Sequence, residues 1–576
     1  MNRVTAFTMA AAAALPSLLA YNVSPSPTFL NQALAFALWG AVVVVTQPAR
    51  LGRGAAPLLA ALGALMLTAA WSWGPGDLPA SLALSAIGTL AAAALLAAGG
   101  AGARARADAT ELFVAFCWAW LAAGLLNVGV AMAQVFMPEL GDGAWIASTG
   151  LVGRAVGNLR QPNHLSSLLL WACIGVAALL QLRRLAWPAA LAVLAALVFA
   201  VVLTASRTGL VSVVLLAIWG AADRRLSRAT RGLLLAAPLL YALAWLGMAQ
   251  WAAVSQHSFG GSQRLAETDI SASRFGIWAD TLTLIRAQPW GGVGFGEFNI
   301  AWTLTPLPGR PVAFFDHTHN LPLQLAVELG LPLAALVTGL LLWGLARGLR
   351  RAWAATGDIG TAQRCAMAMV IMIGLHSLLE YPLWYSYFLL PAAWAWGFAL
   401  QGDGAAPEAA TAPSSASPSP ALGWGGLLLM AGAAFSVADY ARVAAIFSAT
   451  AGAAPLEQRI LEGQRSVFFA HHADYAAVTS GVASADPQRS FDRASHYLLD
   501  TRLMLAWARA LAAQGEIDAA RHLAARLREF RNPDADEFFQ GCPKAAAPAG
   551  AVAAAPFQCE LPARPLAWQD FLARPR

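Results

Sequence analysis

The chain has 576 residues, of which 58% are hydrophobic and only 12% charged, and its mean hydropathy is +0.57. Soluble globular chains carry about 25% charged residues, so this composition excludes a protein that keeps most of its length in water. The formal net charge of +6 is almost all arginine, Lys544 being the only lysine, and in so apolar a chain it speaks to membrane topology rather than to nucleic acid.

Apolar runs of about 20 residues recur from the N-terminus to roughly residue 437, each long enough to cross a bilayer as a helix. Candidate spans lie near 5–21, 28–46, 56–72, 80–99, 110–137, 164–182, 185–204, 208–222, 232–253, 320–346, 363–380, 386–400 and 421–438. They predict an all-α polytopic membrane protein with about 13 transmembrane helices in a membrane domain 1–438. The first run, Met1-Asn-Arg3 and an Ala/Leu stretch to Ala20, has the character of a signal peptide. The want of a clean small-x-small site before Tyr21 favours an uncleaved helix.

Arginines fall on alternate sides of these spans. Arg3, Arg50 and Arg53, Arg104 and Arg106, Arg183 and Arg184, the Arg224–Arg231 group, and Arg347, Arg350, Arg351 and Arg364 share one face. The positive-inside rule makes that face cytoplasmic. Loops 22–27, 73–79, 138–163, 254–319, 381–385 and the turn at Ser206-Arg207 then lie outside, in the periplasm of a bacterium. By parity the Pro/Ser/Ala-rich linker 402–420 is cytoplasmic, and the last span returns a soluble α-helical region, 440–576, to the periplasm. Within it, Met504 to Gly515 followed by Glu516 to Arg521 reads as helix, glycine stop, helix, in the manner of a tetratricopeptide hairpin. Cys117, Cys173 and Cys365 lie in spans, where packing explains them, whereas Cys542 and Cys559 flank a Pro/Ala-rich loop and are candidates for a disulfide in an oxidising compartment.

The outer-face arginines Arg154, Arg160, Arg207, Arg264, Arg274, Arg286 and Arg310 run against the charge trend. Ordinary solvation accounts for Arg264, Arg286 and Arg310. Arg207 stands in Thr204-Ala-Ser-Arg-Thr-Gly209, a turn so short that its guanidinium must sit at headgroup height. A planar fork of donors there suits the oxygens of a lipid-linked phosphate, or equally of ordinary headgroups. In Gly157-Asn-Leu-Arg-Gln-Pro-Asn-His164, Asn163 reads as the N-cap of a helix starting at His164, while Arg160 and Gln161 offer donors beside the Arg207 turn. The Gly-x-Gly pattern within Gln288–Gly296 lacks the βαβ context of a nucleotide site and reads as a tight turn. Glu267-Thr-Asp269 and Asp534-Ala-Asp536 are short acidic pairs of a kind common in solvated loops.

In Asp316-His-Thr-His-Asn320, either histidine can accept a proton near neutral pH. Asp316 is placed to orient one imidazole, and the structural alternative has one histidine capping the helix that begins at Asn320. His-x-His is also a metal spacing, but no third ligand is evident and no metal is expected. Glu380-Tyr-Pro-Leu-Trp-Tyr-Ser-Tyr387 forms the last outer loop, where aromatics suit the membrane interface or a sugar face, and where Tyr381 can donate a hydrogen bond.

Taken in order, Gly-Asn-x-x-Gln-Pro-Asn-His, Ser-Arg-Thr-Gly, His-x-His-Asn with Glu-x-Gly, and Leu-Glu-Tyr-Pro-Leu-Trp-Tyr resemble bacterial PglL-type O-oligosaccharyltransferases. These lie within the superfamily of O-antigen ligases and Wzy polymerases. The resemblance spans about residues 150–400 and leaves the tail beyond 440 uncovered. It implies a GT-C-type multispanning fold and transfer of a glycan from undecaprenyl pyrophosphate to a Ser/Thr hydroxyl of a periplasmic protein, pilin-like or other. By motif, His319 is implied as general base with His317 second. Arg207 is implied to bind pyrophosphate, helped by Arg160 and, on a weaker match, Arg274, with Gln161 and Tyr381 lining the donor or acceptor site. No cofactor is expected, since the donor carries its own leaving group. The rival acceptor is lipid A-core, as for an O-antigen ligase, with a Wzy polymerase third. A flippase or transporter predicts ionisable residues deep in the spans, which here are nearly charge-free.

Overall fold

A computed structural model describes residues 2–50, 53–262, 269–307, 309–312, 314–402, 417–482, 486–542 and 556–572. Arg264, Glu267 and most of the linker 402–420 lie outside the described residues. Among the described residues every regular element is helical, beside one isolated bridge between Ala49 and Pro418. The helices are α1 (Arg3–Leu18), α2 (Phe29–Thr46), α3 (Ala56–Trp73), α4 (Ala80–Arg104), α5 (Ala109–Phe136), α6 (Pro162–Gln181) and α7 (Trp187–Thr204). There follow α8 (Arg207–Ala222), α9 (Arg228–Ser255), α10 (Asp269–Ala287), α11 (Phe298–Leu304), α12 (Leu321–Ala354), α13 (Gly357–His376), α14 (Ser386–Leu400) and α15 (Pro420–Phe447). The tail adds α16 (Leu456–Gly463), α17 (Ala470–Thr479), α18 (Pro487–Ala494), α19 (Thr501–Ala513), α20 (Ile517–Phe530) and α21 (Gln569–Leu572).

Ten of these helices, α2 to α7, α9, α12, α13 and α15, are long and apolar enough to cross a membrane. The chain is a polytopic helical membrane protein. The expected spans at 5–21, 208–222 and 386–400 fall on the shorter helices α1, α8 and α14, of 16, 16 and 15 residues.

The chain divides into two compact units, each assembled from separated stretches. The first comprises Met1–Ala64, Thr89–Glu267 and Gly339–Val437. Its centre is α6, buried from Pro162 to Leu180, as expected of a helix that is apolar all round. Around it pack α5, α7, α8, α9 and α13. Small residues let helices approach closely, the usual device where no water drives association. A Cβ on Gly100 would stand 1.9 Å from the Trp394 carbonyl oxygen, and one on Gly397 would stand 1.9 Å from that of Ala97, so α4 and α14 cross backbone to backbone. Phe116, Trp120, Trp171 and Trp394 fill the space between α5, α6 and α14 with edge-on and stacked contacts.

The second unit comprises Leu65–Gly88, Thr268–Thr338 and Ala438–Arg576. Its core joins the residues around α10 and α11 to the tail: Ile277, Phe298, Trp302 and Val327 are buried in one cluster with Leu503, Trp507, Leu523 and Phe530. The tail's helix–glycine–helix reading matches α19 and α20, with Gly515 at φ 83° where the first helix ends. Asp500 caps α19 by accepting from the Leu503 amide at 2.9 Å. Cys542 and Cys559 form a disulfide. Within this unit Arg310 departs from the sequence expectation of a solvated residue, since its side chain is fully buried.

Candidate active site

Four of the seven candidate residues, Arg160, Gln161, Arg207 and Tyr381, belong to the first unit, and His317, His319 and Arg274 to the second. In the first unit the segment 154–164 is tied to the α7–α8 turn by backbone. The Ala155 amide donates to the Leu203 carbonyl at 2.9 Å, and Arg154 Nε donates to that of Thr204 at 3.1 Å. The turn itself is one left-handed residue, Ala205 at φ 50°, followed by Ser206, whose Oγ accepts from the Gly209 amide at 3.0 Å and caps α8. Arg207 is thereby the first helical residue, with an exposed side chain. A Cβ on Gly209 would lie 2.3 Å from Ser166 Oγ on α6, so a side chain there requires that hydroxyl to move.

The start of α6 corrects the capping expectation. Gln161, not Asn163, is the N-cap, its Oε1 accepting from the His164 amide at 2.8 Å, and Pro162 takes the first helical position. Proline's missing N–H costs nothing there, which is why the helix begins two residues earlier than the His164 start predicted. Asn163 is freed for a different task. Its Oδ1 accepts from Ser206 Oγ at 2.7 Å, and its Nδ2 donates to Glu380 Oε1 at 3.1 Å. All three side chains are buried. Three motifs far apart in sequence thus converge on one amide; the sequence assigns Asn163 only a capping role and gives Ser206 and Glu380 none. The signal for the latter two is their place directly beside Arg207 and Tyr381.

Arg160, at φ 58°, directs Nη1 at the carbonyls of Pro27 and Asn158 and Nη2 at that of Ala20. Three of the five guanidinium donors are therefore committed to backbone. Tyr381 is half-buried and stacks on Tyr385 at 6.1 Å, in a run of rings that continues to Tyr387. The Tyr387 hydroxyl pairs with His164 Nδ1 at 3.2 Å, and Ser167 Oγ with His376 Nδ1 at 2.8 Å.

In the second unit the histidine loop is held at both ends. Thr318 is buried; its amide donates to Gln324 Oε1 at 2.7 Å, and its carbonyl accepts from Trp278 Nε1 at 2.9 Å. Asn320 caps α12 by accepting from the Leu323 amide at 3.1 Å, so the cap is the asparagine and neither histidine. Between Thr318 and Asn320, His319 is held in the left-handed region at φ 55°, where a residue with a side chain is uncommon and costs roughly 1–3 kcal/mol. Its ring meets Phe315 edge-on at 5.3 Å. His317 Nδ1 lies 3.0 Å from Asp316 Oδ1, so the carboxylate is placed to orient His317. Burial works to raise the Asp316 carboxyl, but the His317 imidazole, with His319 behind it, holds it below the usual carboxylate range. Among the described residues no group of three His, Cys, Asp or Glu side chains is gathered to hold a metal ion. Arg274 lies on α10 with a partly exposed side chain.

The loop leading to these histidines rests on the tail. Arg310 lies against the rings of Trp302 and Phe530, which meet edge-on, 4.6 Å from each centroid; it donates to the carbonyls of Trp302 and Thr305 and pairs with Glu529 at 3.2 Å. Burial pulls its guanidinium down to about 10, with Glu529 opposing. Phe314 stacks on Phe530 at 3.8 Å. Asn299 bridges the two stretches, its Nδ2 donating to the Phe315 carbonyl at 2.9 Å while its Oδ1 accepts from the Leu499 amide at 2.8 Å. Glu297 meets His496 at 2.7 Å, both buried. The Gly-x-Gly turn has a packing role: the Val293 and Gly294 amides donate to the carbonyls of Val327 and Glu328 at the break in α12. Gly330, at φ 73°, makes that break, and a Cβ on it would stand 2.2 Å from the Trp290 carbonyl oxygen.

Comparison with known families places three segments. Residues 190–338 match the O-antigen ligase family, residues 155–180 the protein glycosylation ligase family, and residues 365–540 the C-terminal part of the virulence factor membrane-bound polymerases. The last match reaches past residue 440, beyond the motif resemblance. Two curated proteins of Acinetobacter baylyi are also similar. A general O-oligosaccharyltransferase is 29% identical over 42% of this chain and 43% of its own length. A ComP-specific O-oligosaccharyltransferase is 25% identical over 49% of this chain and 50% of its own length. The chain thus matches no more than half the length of either relative. The motif resemblance to PglL-type O-oligosaccharyltransferases, within the O-antigen ligase superfamily, is borne out. In these segments the chain is similar to O-antigen ligases, protein glycosylation ligases and O-oligosaccharyltransferases.

Proposed function

We propose that this protein transfers an oligosaccharide from undecaprenyl pyrophosphate to serine or threonine hydroxyls of periplasmic proteins, at the outer face of a bacterial inner membrane. The observation that carries this reading is the convergence of the Gln-Pro-Asn-His, Ser-Arg-Thr-Gly and Leu-Glu-Tyr-Pro segments on Asn163, in a chain similar to two O-oligosaccharyltransferases. His319 takes the proton of the acceptor hydroxyl, whose oxygen forms the new bond to the anomeric carbon. The bond from that carbon to phosphate oxygen breaks, and its electron pair leaves with undecaprenyl pyrophosphate. A positioned base typically contributes about 10² to 10⁴ in rate. His317, already paired with Asp316, is the second choice.

Arg207 binds the pyrophosphate. It stands at the first turn of α8, where helix amides and the guanidinium both favour an anion. Arg160, with three donors on backbone, contributes mainly by bracing its segment, and Arg274 is the weaker second arginine. Gln161 presents its amide nitrogen and Tyr381 its hydroxyl to donor or acceptor. Preorganised guanidiniums stabilise the departing charge, so the reading uses no cofactor and no nucleic acid. The fold is of the GT-C kind with about thirteen crossings, taking in the three shorter helices.

The match of 190–338 to O-antigen ligases favours one second reading, transfer to lipid A-core. Deleting the gene and comparing periplasmic protein glycans with lipopolysaccharide separates the two. Loss of protein glycans alone supports the proposal; loss of lipopolysaccharide O-chains alone selects the ligase.

A further inference from the structure

Glu380 lies within the Leu-Glu-Tyr-Pro segment that the resemblance singles out through Tyr381, yet nothing above gives it a task. Its carboxylate is buried and accepts from Asn163 Nδ2 at 3.1 Å. The opposite end of the same amide accepts from Ser206 Oγ at 2.7 Å, and that hydroxyl oxygen in turn accepts from the Gly209 amide at 3.0 Å. The polarity is fixed along the relay. A carboxylate can only accept, so the asparagine must turn its NH₂ to Glu380 and its carbonyl oxygen to Ser206. The serine hydroxyl must then spend its proton on Asn163, which leaves its lone pairs for the first turn of α8. No free rotor remains, and the residue directly after Ser206 is Arg207.

We infer that Glu380 is a positioning residue for the anion site: through Asn163 and Ser206 it fixes the first turn of α8 and the guanidinium of Arg207 at its start. The inference rests on the reading of Arg207 as the pyrophosphate ligand. The supporting geometry around the turn is independent of that reading. Arg154 Nε holds the Thr204 carbonyl, the Ala155 amide holds that of Leu203, and Gly209 seats the turn against Ser166. In a buried setting a partly satisfied polar chain is costly, so breaking one link disturbs the others.

The experiment measures the affinity of the purified full-length protein for undecaprenyl pyrophosphate in detergent or nanodiscs. Asn163→Asp sets two carboxylates against each other at the Glu380 link and is expected to weaken binding about tenfold. Adding Glu380→Gln reverses the donor and acceptor at that link, since the new amide donates to the new carboxylate, and is expected to restore affinity to within about threefold. Both substitutions are then repeated in an Arg207→Ala background, where they are expected to cause no further loss. Asn163→Ala replaces Asn163→Asp in the same scheme should the latter not accumulate in the membrane; it should give the same loss, again absent without Arg207.

Failure of the double variant to restore binding, or an equal loss with and without Arg207, overturns the positioning role and leaves the reading of Arg207 standing. Unchanged affinity in Arg207→Ala alone overturns the reading of Arg207 itself, and the inference with it. A purely structural relay would lower melting temperature without this dependence on Arg207.

Discussion

The two units hold their candidate residues by opposite means. In the first, Arg207 sits at the end of a buried polar relay, Glu380 to Asn163 to Ser206 to the Gly209 amide, whose three links are short and directional. In the second, the histidine loop leans on rings: Arg310 lies against Trp302 and Phe530, and Phe314 is stacked on the same Phe530. Directional bonds fix an orientation, which suits the fork of donors proposed to bind pyrophosphate. Stacked rings fix a position by area and tolerate small rotations, which suits a loop whose terminal residue is already fixed by its own backbone at φ 55°.

The largest test of that contrast is chemical. His319→Ala is expected to lower glycan transfer by about 10² to 10⁴ while leaving affinity for undecaprenyl pyrophosphate unchanged; undiminished transfer would remove His319 as the base. Next, Phe530→Ala should cost about 3–5 kcal/mol of the second unit's stability, because it takes away the support of both Arg310 and Phe314. Thermal unfolding should show the loss, and donor affinity should stay native if the two devices are separate. Arg207→Ala should weaken donor binding by roughly 10- to 150-fold, the range for hydrogen bonds to a charged group. Its melting temperature should hardly move, since the side chain is exposed.

The smallest effect concerns pH. Burial works to lower the His496 imidazole, but Glu297, with Asp77 and Asp492, raises it above its ordinary 6.5. A group whose folded value is raised stabilises fully below the unfolded value and loses that contribution as pH climbs through the folded one. The native protein should therefore lose melting temperature on moving from pH 6 to above the raised value. In His496→Gln that slope should flatten, by roughly 2–4 °C for each kcal/mol the pair contributes. An identical slope in both proteins would show that the pair does not hold the loop.

How legible each half was in the sequence follows from the same contrast. The relay's residues stand next to motif residues at helix starts, so apolar periodicity located Arg207, Gln161 and Tyr381 at span ends. What it could not show was which polar neighbour faced which, and Asn163 was read as a cap because Pro162 hid the true helix start. The helix–glycine–helix pattern over Met504–Arg521 is plain from its spacing and Gly515. Its use is not, because the contacts of Arg310 with Glu529 and of Glu297 with His496 join stretches about two hundred residues apart, and no local pattern encodes them.

That distance along the chain also imposes an order of events. At roughly 5–20 residues per second, a ribosome reaches His496 some 10–40 s after it has made Glu297. Through that interval Trp302, Phe314 and Arg310 have been synthesised without the surface they finally rest on. The histidine loop therefore gains these contacts only once the tail has emerged, and a nascent chain halted before Phe530 lacks the rings that Arg310 and Phe314 rest on.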